Sequence, residues 1–241
     1  MIDWLRKSPH EVPQIELAGR SLPLVLRRAA NARRLTMRLA PDGSEVRITL
    51  PRWGTSAEAL EFARSRASWL AAQLDALPKP VELGEGAMVP YLGEQLILRH
   101  DSAKPRKVRL VFDEIHAGGC AASLPARLTR WLEAEARALM EEDLAHYCAL
   151  ADRPAPHLML SRAKRRWGSC ARNGTIRLNW RLVMAPEPVR RSVVAHEVAH
   201  LVHFDHSPDF HALLADLFEG DIRAVNRWLK REGRSLYAPF G

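Results

Sequence analysis

His196 and His200, four residues apart with Glu197 between them, limit what this chain can be more than any other feature. They sit in a stretch that is otherwise apolar nearly all round: Val193, Val194, Ala195, Val198, Ala199, Leu201 and Val202. An α-helix of that composition is buried, and imidazoles and a carboxylate buried without partners are costly. The spacing puts both imidazoles on one helix face, opposite the stripe Val194, Val198, Leu201. Two ring nitrogens can then converge on one Zn²⁺ at roughly 2.0–2.1 Å. Glu197 projects about 100° further round the helix, where its carboxylate reaches a water beside the ion without joining the ligands. Zn²⁺ lowers the pKa of such a water towards ~7, and a neighbouring carboxylate takes its proton. The pattern reads as machinery for metal-assisted hydrolysis, with Glu197 catalytic and His196 and His200 as ligands.

A catalytic zinc commonly keeps three protein ligands and an open position. His206 is the expected third ligand; it follows a helix end expected near Phe204-Asp205, so the chain must turn to bring it back. His203, seven residues after His196, falls a turn too far along the helix and reads as a supporting or surface residue. Asp216 and Glu219 are alternative ligands, and Asp205 and Asp209 are candidates to orient an imidazole. Cys170 as a fourth ligand would close the site and make it structural. The metzincin pattern has Gly where His203 stands, and no Met-turn is evident downstream, which excludes a standard metzincin.

Around this segment the chain reads as α+β. Residues 14–50 contain short β-rich runs at 22–28, 34–39 and 45–50, with Pro41-Asp42-Gly43 as a turn. A helix follows to about Leu77, with Ser56 as its expected cap and Pro78 and Pro80 as its end. Residues 81–118 return to β, with strands near 95–99 and 108–112. A long amphipathic helix spans 125–150, strands are expected at 157–162 and 175–180, and helices close the chain after the Ser207 cap and after Asp221. The expected division is a β-rich N-terminal region, 1–118, and a C-terminal domain, 119–241, whose motif helix packs on a small sheet.

No apolar run is long enough to cross a membrane. The N-terminal residues carry acids and lack the apolar core of a signal peptide. Three scattered cysteines, Cys120, Cys148 and Cys170, make neither a disulfide framework nor a zinc ribbon. A cytoplasmic protein is expected. The net charge is +8, and basic residues cluster at Arg27-Arg28, Arg33-Arg34 and Lys164-Arg165-Arg166. Such patches favour an acidic partner, including nucleic acid.

The segments Arg166-Trp167-Gly168-Ser169-Cys170 and Gly174-Thr175-Ile176-Arg177-Leu178-Asn179-Trp180-Arg181-Leu182, followed by residues 196–210, resemble the YgjP-like metallopeptidases, a family related to the SprT-like proteases. The specific part covers about residues 160–215. The resemblance implies a zincin-like fold and zinc held by His196, His200 and His206 beside Glu197. One departure is His211, where the family leads us to expect Trp. Arg166, Trp167, Ser169, Asn179 and His203 are candidates for substrate contact or ligand support. Gly168-Ser169 marks tight backbone, either a bulge packed on the motif helix or an edge strand lining a cleft. Arg166 or Arg181 is a candidate to stabilise an oxyanion.

The expected function is zinc-dependent cleavage of a protein or peptide substrate. Its rivals are a nucleic-acid-associated binding module with a structural zinc and, by analogy with the SprT-like proteases, a protease acting on DNA-bound proteins.

Overall fold

The computed structural model describes residues 13–17, 19–40, 42–77 and 81–240. They form two compact units that divide after Leu77. The segment 1–12, Pro41, Pro78 and Pro80, on which the leader, turn and helix-end expectations fell, lie outside the described residues.

The first unit has one four-stranded sheet, order β1 (Gln14–Leu17), β2 (Arg20–Arg28), β4 (Val46–Leu50), β3 (Thr36–Leu39). The β2–β4 pair is parallel and the others antiparallel. In β4, Val46, Ile48 and Leu50 are buried while Arg47 and Thr49 are partly exposed, the period-two pattern of a one-sided strand. That face meets Ala59 and Ala63 of α1 (Ser56–Ser65) and Leu70 and Leu74 of α2 (Ala67–Asp75). One helix to Leu77 was expected; the chain breaks it at Arg66, whose backbone leaves helical geometry. The cap is Thr55, not Ser56. Thr55 and Glu58 bond reciprocally in a capping box, with the Glu58 N–H on Thr55 Oγ1 at 3.2 Å and the Thr55 N–H on Glu58 Oε2 at 2.7 Å.

The second unit holds two sheets. One runs β5 (Met88–Tyr91), β6 (Glu94–Asp101), β8 (Glu114–Gly118), β7 (Val108–Val111). The other runs β10 (Gly168–Cys170), β11 (Ile176–Asn179), β9 (Leu158–Ser161), with β10 at an edge. The 27-residue α3 (Leu124–Leu150) buries Leu128, Leu132, Ala136, Met140 and Leu144 at steps of four. These share one core with Val89, Leu98 and Ile115 of the first of these sheets, with Leu178 and Trp180, and with Val194 and Val198 of α4 (Glu187–Ala199). The compact units therefore do not divide at 118/119 as expected. The alternating apolar residues of β5, β6 and β8 join the same core as the stripe of α3, so the strands of 88–118 go with the helices that follow. The last helices are α5 (Pro208–Leu217) and α6 (Ile222–Glu232), the latter capped by the Asp221 carboxylate.

Candidate metal centre

Helix α4 ends earlier than its apolar pattern suggests. After Ala199 the bonding becomes mixed, with the Leu201 N–H on Val198 at 2.9 Å and the Val202 N–H on Ala199 at 3.1 Å of the i→i−3 type and the His203 N–H closing the last turn on Ala199 at 2.9 Å. Regular helix ends at Ala199 with His200 as its C-cap, rather than near Phe204, and His203 follows the closing turn. The His203 carbonyl lies 2.9 Å from Nδ1 of His200. A carbonyl only accepts, so Nδ1 carries the proton and Nε2 presents its lone pair.

The turn that follows returns His206. The Ser207 hydroxyl accepts the Phe210 N–H at 3.4 Å, opening α5 as expected, and the Asp205 carboxylate accepts the Ser207 N–H at 3.4 Å. His206 Nε2 lies 3.3 Å from His196 Nε2. Two nitrogens on a tetrahedral ion at roughly 2.05 Å stand about 3.3 Å apart, so this distance fits ligands of one ion. One nitrogen from each of His196, His200 and His206 lies within 4.8 Å of the others, a group that could hold a metal ion. Burial pushes His196 down to about 4, helped by His200, His206 and His211, and keeps it in the neutral form that ligates metal.

Phe210 is fully buried, with its ring 5.0, 4.6 and 4.8 Å from those of His196, His200 and His206. It forms an apolar floor that holds the imidazoles apart from the core. Sequence reading missed this role, although Phe210 is the first apolar residue after the Ser207 cap. His211 stands beside His206, ring to ring 6.3 Å, and is outside the metal-capable group.

Glu197 is only 5 % exposed, and burial pushes its carboxyl up to about 7 against the lowering effects of the Cys170 N–H and the Arg166 charge. It lies directly on β10. A Cβ at Gly168 would stand 2.6 Å from Cγ and 2.7 Å from Cδ of Glu197 and would overlap the carboxylate oxygen. The Asn179 N–H bonds the Trp167 carbonyl at 2.7 Å and the Ala171 N–H bonds Thr175 at 2.9 Å. Those residues face β11, so Gly168 and Cys170 face the open edge.

The other candidates separate. Trp167 packs on Tyr237, ring to ring 5.9 Å. Strand alternation puts Ser169 on the face opposite Gly168 and Cys170. Asn179 is fully buried, donating to the Ala163 carbonyl at 2.8 Å and accepting the Arg181 N–H at 3.1 Å, so it braces the chain behind the site. Arg181 lies against the rings of Trp180 and Tyr237, 4.7 and 4.6 Å from their centroids, and donates to Phe240 at 3.0 Å. Of the two arginines, Arg166 is the one that acts electrostatically on Glu197. Glu219 is engaged by the Tyr147 hydroxyl at 2.9 Å and Arg191 at 2.5 Å, and the Cys170 thiol meets the Ala171 carbonyl. Neither they nor the exposed Asp216 belong to the metal-capable group.

A family model described as YgjP-like, metallopeptidase domain, matches residues 33–232, most of the described chain. Comparison with curated proteins and with solved structures finds no match.

Proposed function

Because the chain belongs to the YgjP-like metallopeptidase family, we propose that it is a zinc-dependent peptidase in which His196, His200 and His206 hold the ion and Glu197 is the general base. The observation that carries this reading is the juxtaposition of three convergent imidazoles with a buried carboxylate on the next helix position. Zn²⁺, when bound, supplies the Lewis acidity that polarises a carbonyl and lets a water lose its proton near neutral pH.

The remaining work falls to the chain. Glu197 takes a proton from the attacking water as the new C–O bond forms. It delivers that proton to the departing amine nitrogen as the C–N bond breaks. Its burial tunes it towards the pH at which both transfers are needed. The Cys170 N–H orients the carboxylate, and the bare backbone of Gly168 leaves room for it. Arg166 is the candidate to face a developing oxyanion. The open edge of β10 beside Glu197 favours a peptide over a compact amide, because an extended chain can pair along a strand edge.

The test is metal content together with cleavage of an unfolded protein substrate. Wild type should carry one zinc per chain. Glu197→Gln should keep that zinc and lose about 10²–10⁴-fold in rate. A variant that keeps its zinc and cuts as fast as wild type, or a wild-type protein that takes up no metal, sinks the proposal.

A further inference from the structure

A second site lies in the same unit, built from residues the metal centre does not use. A shallow, open cleft of about 440 Å³ is lined by Arg106, Val108, Arg127, Arg130 and Trp131, with no acidic residue. Arg127 is only 5 % exposed. Its guanidinium donates to the Gly118 carbonyl, to the Cys120 carbonyl at 2.9 Å and to Ser123 Oγ at 3.2 Å. These acceptors are neutral: they aim the group and leave its charge uncompensated. Buried cations ordinarily have an anionic partner, yet among the described residues no carboxylate pairs with Arg127, Arg106 or Arg130. Arg190, equally buried, shows the ordinary solution in its bond to Asp143 at 2.7 Å.

The surrounding backbone is shaped to bring these groups together. Gly118 lies so close under the 104–105 loop that a Cβ would come within 2.5 Å of the Lys104 carbonyl. Gly119, at φ +79°, lies under the stem of Arg106 and leaves no room for a side chain of its own. Trp131 is held by a stack on Tyr91, centroids 5.3 Å apart, and the Tyr91 hydroxyl is tied to Glu135 at 2.9 Å. The part of the indole that Tyr91 leaves uncovered lines the cleft.

From this arrangement we infer that the cleft binds the phosphoryl group of a nucleotide, free or within a strand, with the base against Trp131. Guanidinium forks match phosphate oxygens in pairs. An aromatic surface beside them accepts any base by stacking. The basic cluster at residues 164–166 of the same unit does not line the cleft.

The experiment is calorimetric titration of the full-length, metal-loaded protein at low salt with AMP, inorganic phosphate and a short single-stranded oligothymidylate. AMP is expected to saturate one site, more tightly than phosphate, and to weaken as salt rises. The exposed substitutions Arg130→Glu and Arg106→Glu should each weaken AMP by about ten- to a hundredfold while metal content and peptidase activity stay at wild-type levels. They keep the test sharp if Arg127→Leu does not fold. Trp131→Leu should weaken AMP and leave phosphate unchanged. Tight oligothymidylate with weak AMP would assign the strand as the source of the phosphoryl group; the reverse would assign the free nucleotide. No saturable binding of any probe, or AMP binding indifferent to both charge reversals, overturns the inference.

Discussion

Two polar clusters meet at helix α4, and they are opposite in kind: one is buried near its start, and the other, at its end, combines the buried Glu197 with half-buried His196 and His200 and the exposed His206. Near its start, Arg190 bonds Asp143 of α3 through two nitrogens, at 2.7 and 3.4 Å, with both side chains about 95 % buried. Arg191 continues the set through the Tyr147 hydroxyl at 3.1 Å and Glu219 at 2.5 Å. Cation meets anion, and donor meets acceptor. At the other end, three imidazoles face one another and Glu197 has one backbone N–H and the charge of Arg166 to favour its ionised form. The first cluster is complete by itself and fastens α4 to α3. The second is incomplete by itself, which costs stability and leaves coordination and proton-transfer capacity for something the chain does not supply. Polar groups gathered at the same helix thus divide into anchor and site according to whether their demands are met internally.

Breaking the anchor should have the largest effect. Asp143→Ala leaves Arg190 without its buried charge partner, with only the exposed Glu187 at 3.9 Å, and should lower the unfolding free energy by about 3–5 kcal/mol, read by urea denaturation. A loss below about 1 kcal/mol would mean the pair is not an anchor. Intruding on the site from β10 should come next. Gly168→Ala forces a methyl into Glu197 and should cost about 1–3 kcal/mol. It should also slow cleavage far more than it reduces zinc content. Equal losses of metal and rate would contradict the close approach described.

Relieving the incomplete cluster should stabilise the protein. In metal-free protein the folded Glu197 carboxyl holds its proton up to about pH 7, against an ordinary value of 4.5. The unfolded chain therefore releases that proton first as pH rises. Stability is fully present below about 4.5, falls between 4.5 and 7, and stays reduced above. Glu197→Gln cannot titrate, so with chelator present its stability relative to wild type should rise from pH 5 to pH 8 by roughly 1–3 kcal/mol. A difference flat with pH would show that burial does not penalise the carboxylate. The smallest effect expected is at the turn: Ser207→Ala removes the cap of α5, costs about 1 kcal/mol and weakens zinc retention through His206. Unaltered zinc affinity would show that the cap does not place the third imidazole.

Much of this is legible in the sequence, because it depends on short-range geometry. The four-residue spacing of His196 and His200, the cap at Ser207 and the alternation of Val46, Ile48 and Leu50 are properties of one turn of helix or one strand. The errors arose where a local pattern met a distant constraint. The apolar run beyond His200 implied more helix, but the chain turns there and the His203 carbonyl takes up His200. Thr55 was overlooked as a cap because Ser56 also fits, and the Glu58 bond decides between them. Trp167 and Asn179 are candidates for substrate contact or ligand support by resemblance, whereas in the fold Trp167 packs on Tyr237 and the buried Asn179 bonds the Ala163 carbonyl and the Arg181 N–H.

By itself the sequence determined that a helix presents two imidazoles on one side with a carboxylate next to them, and that His206 follows at the mouth of another helix. Only the tertiary structure decided what surrounds that carboxylate. Gly168 and Cys170 lie 29 and 27 positions before Glu197, and no periodicity links an edge strand to the helix it meets. The same holds for Arg106, Arg127 and Arg130, which converge from a loop and a helix, and for the strands of 88–118, whose membership in the second unit follows from the core they share with α3. Backbone geometry propagates along the chain for about a turn. Burial, charge compensation and close approach belong to whatever the fold brings alongside.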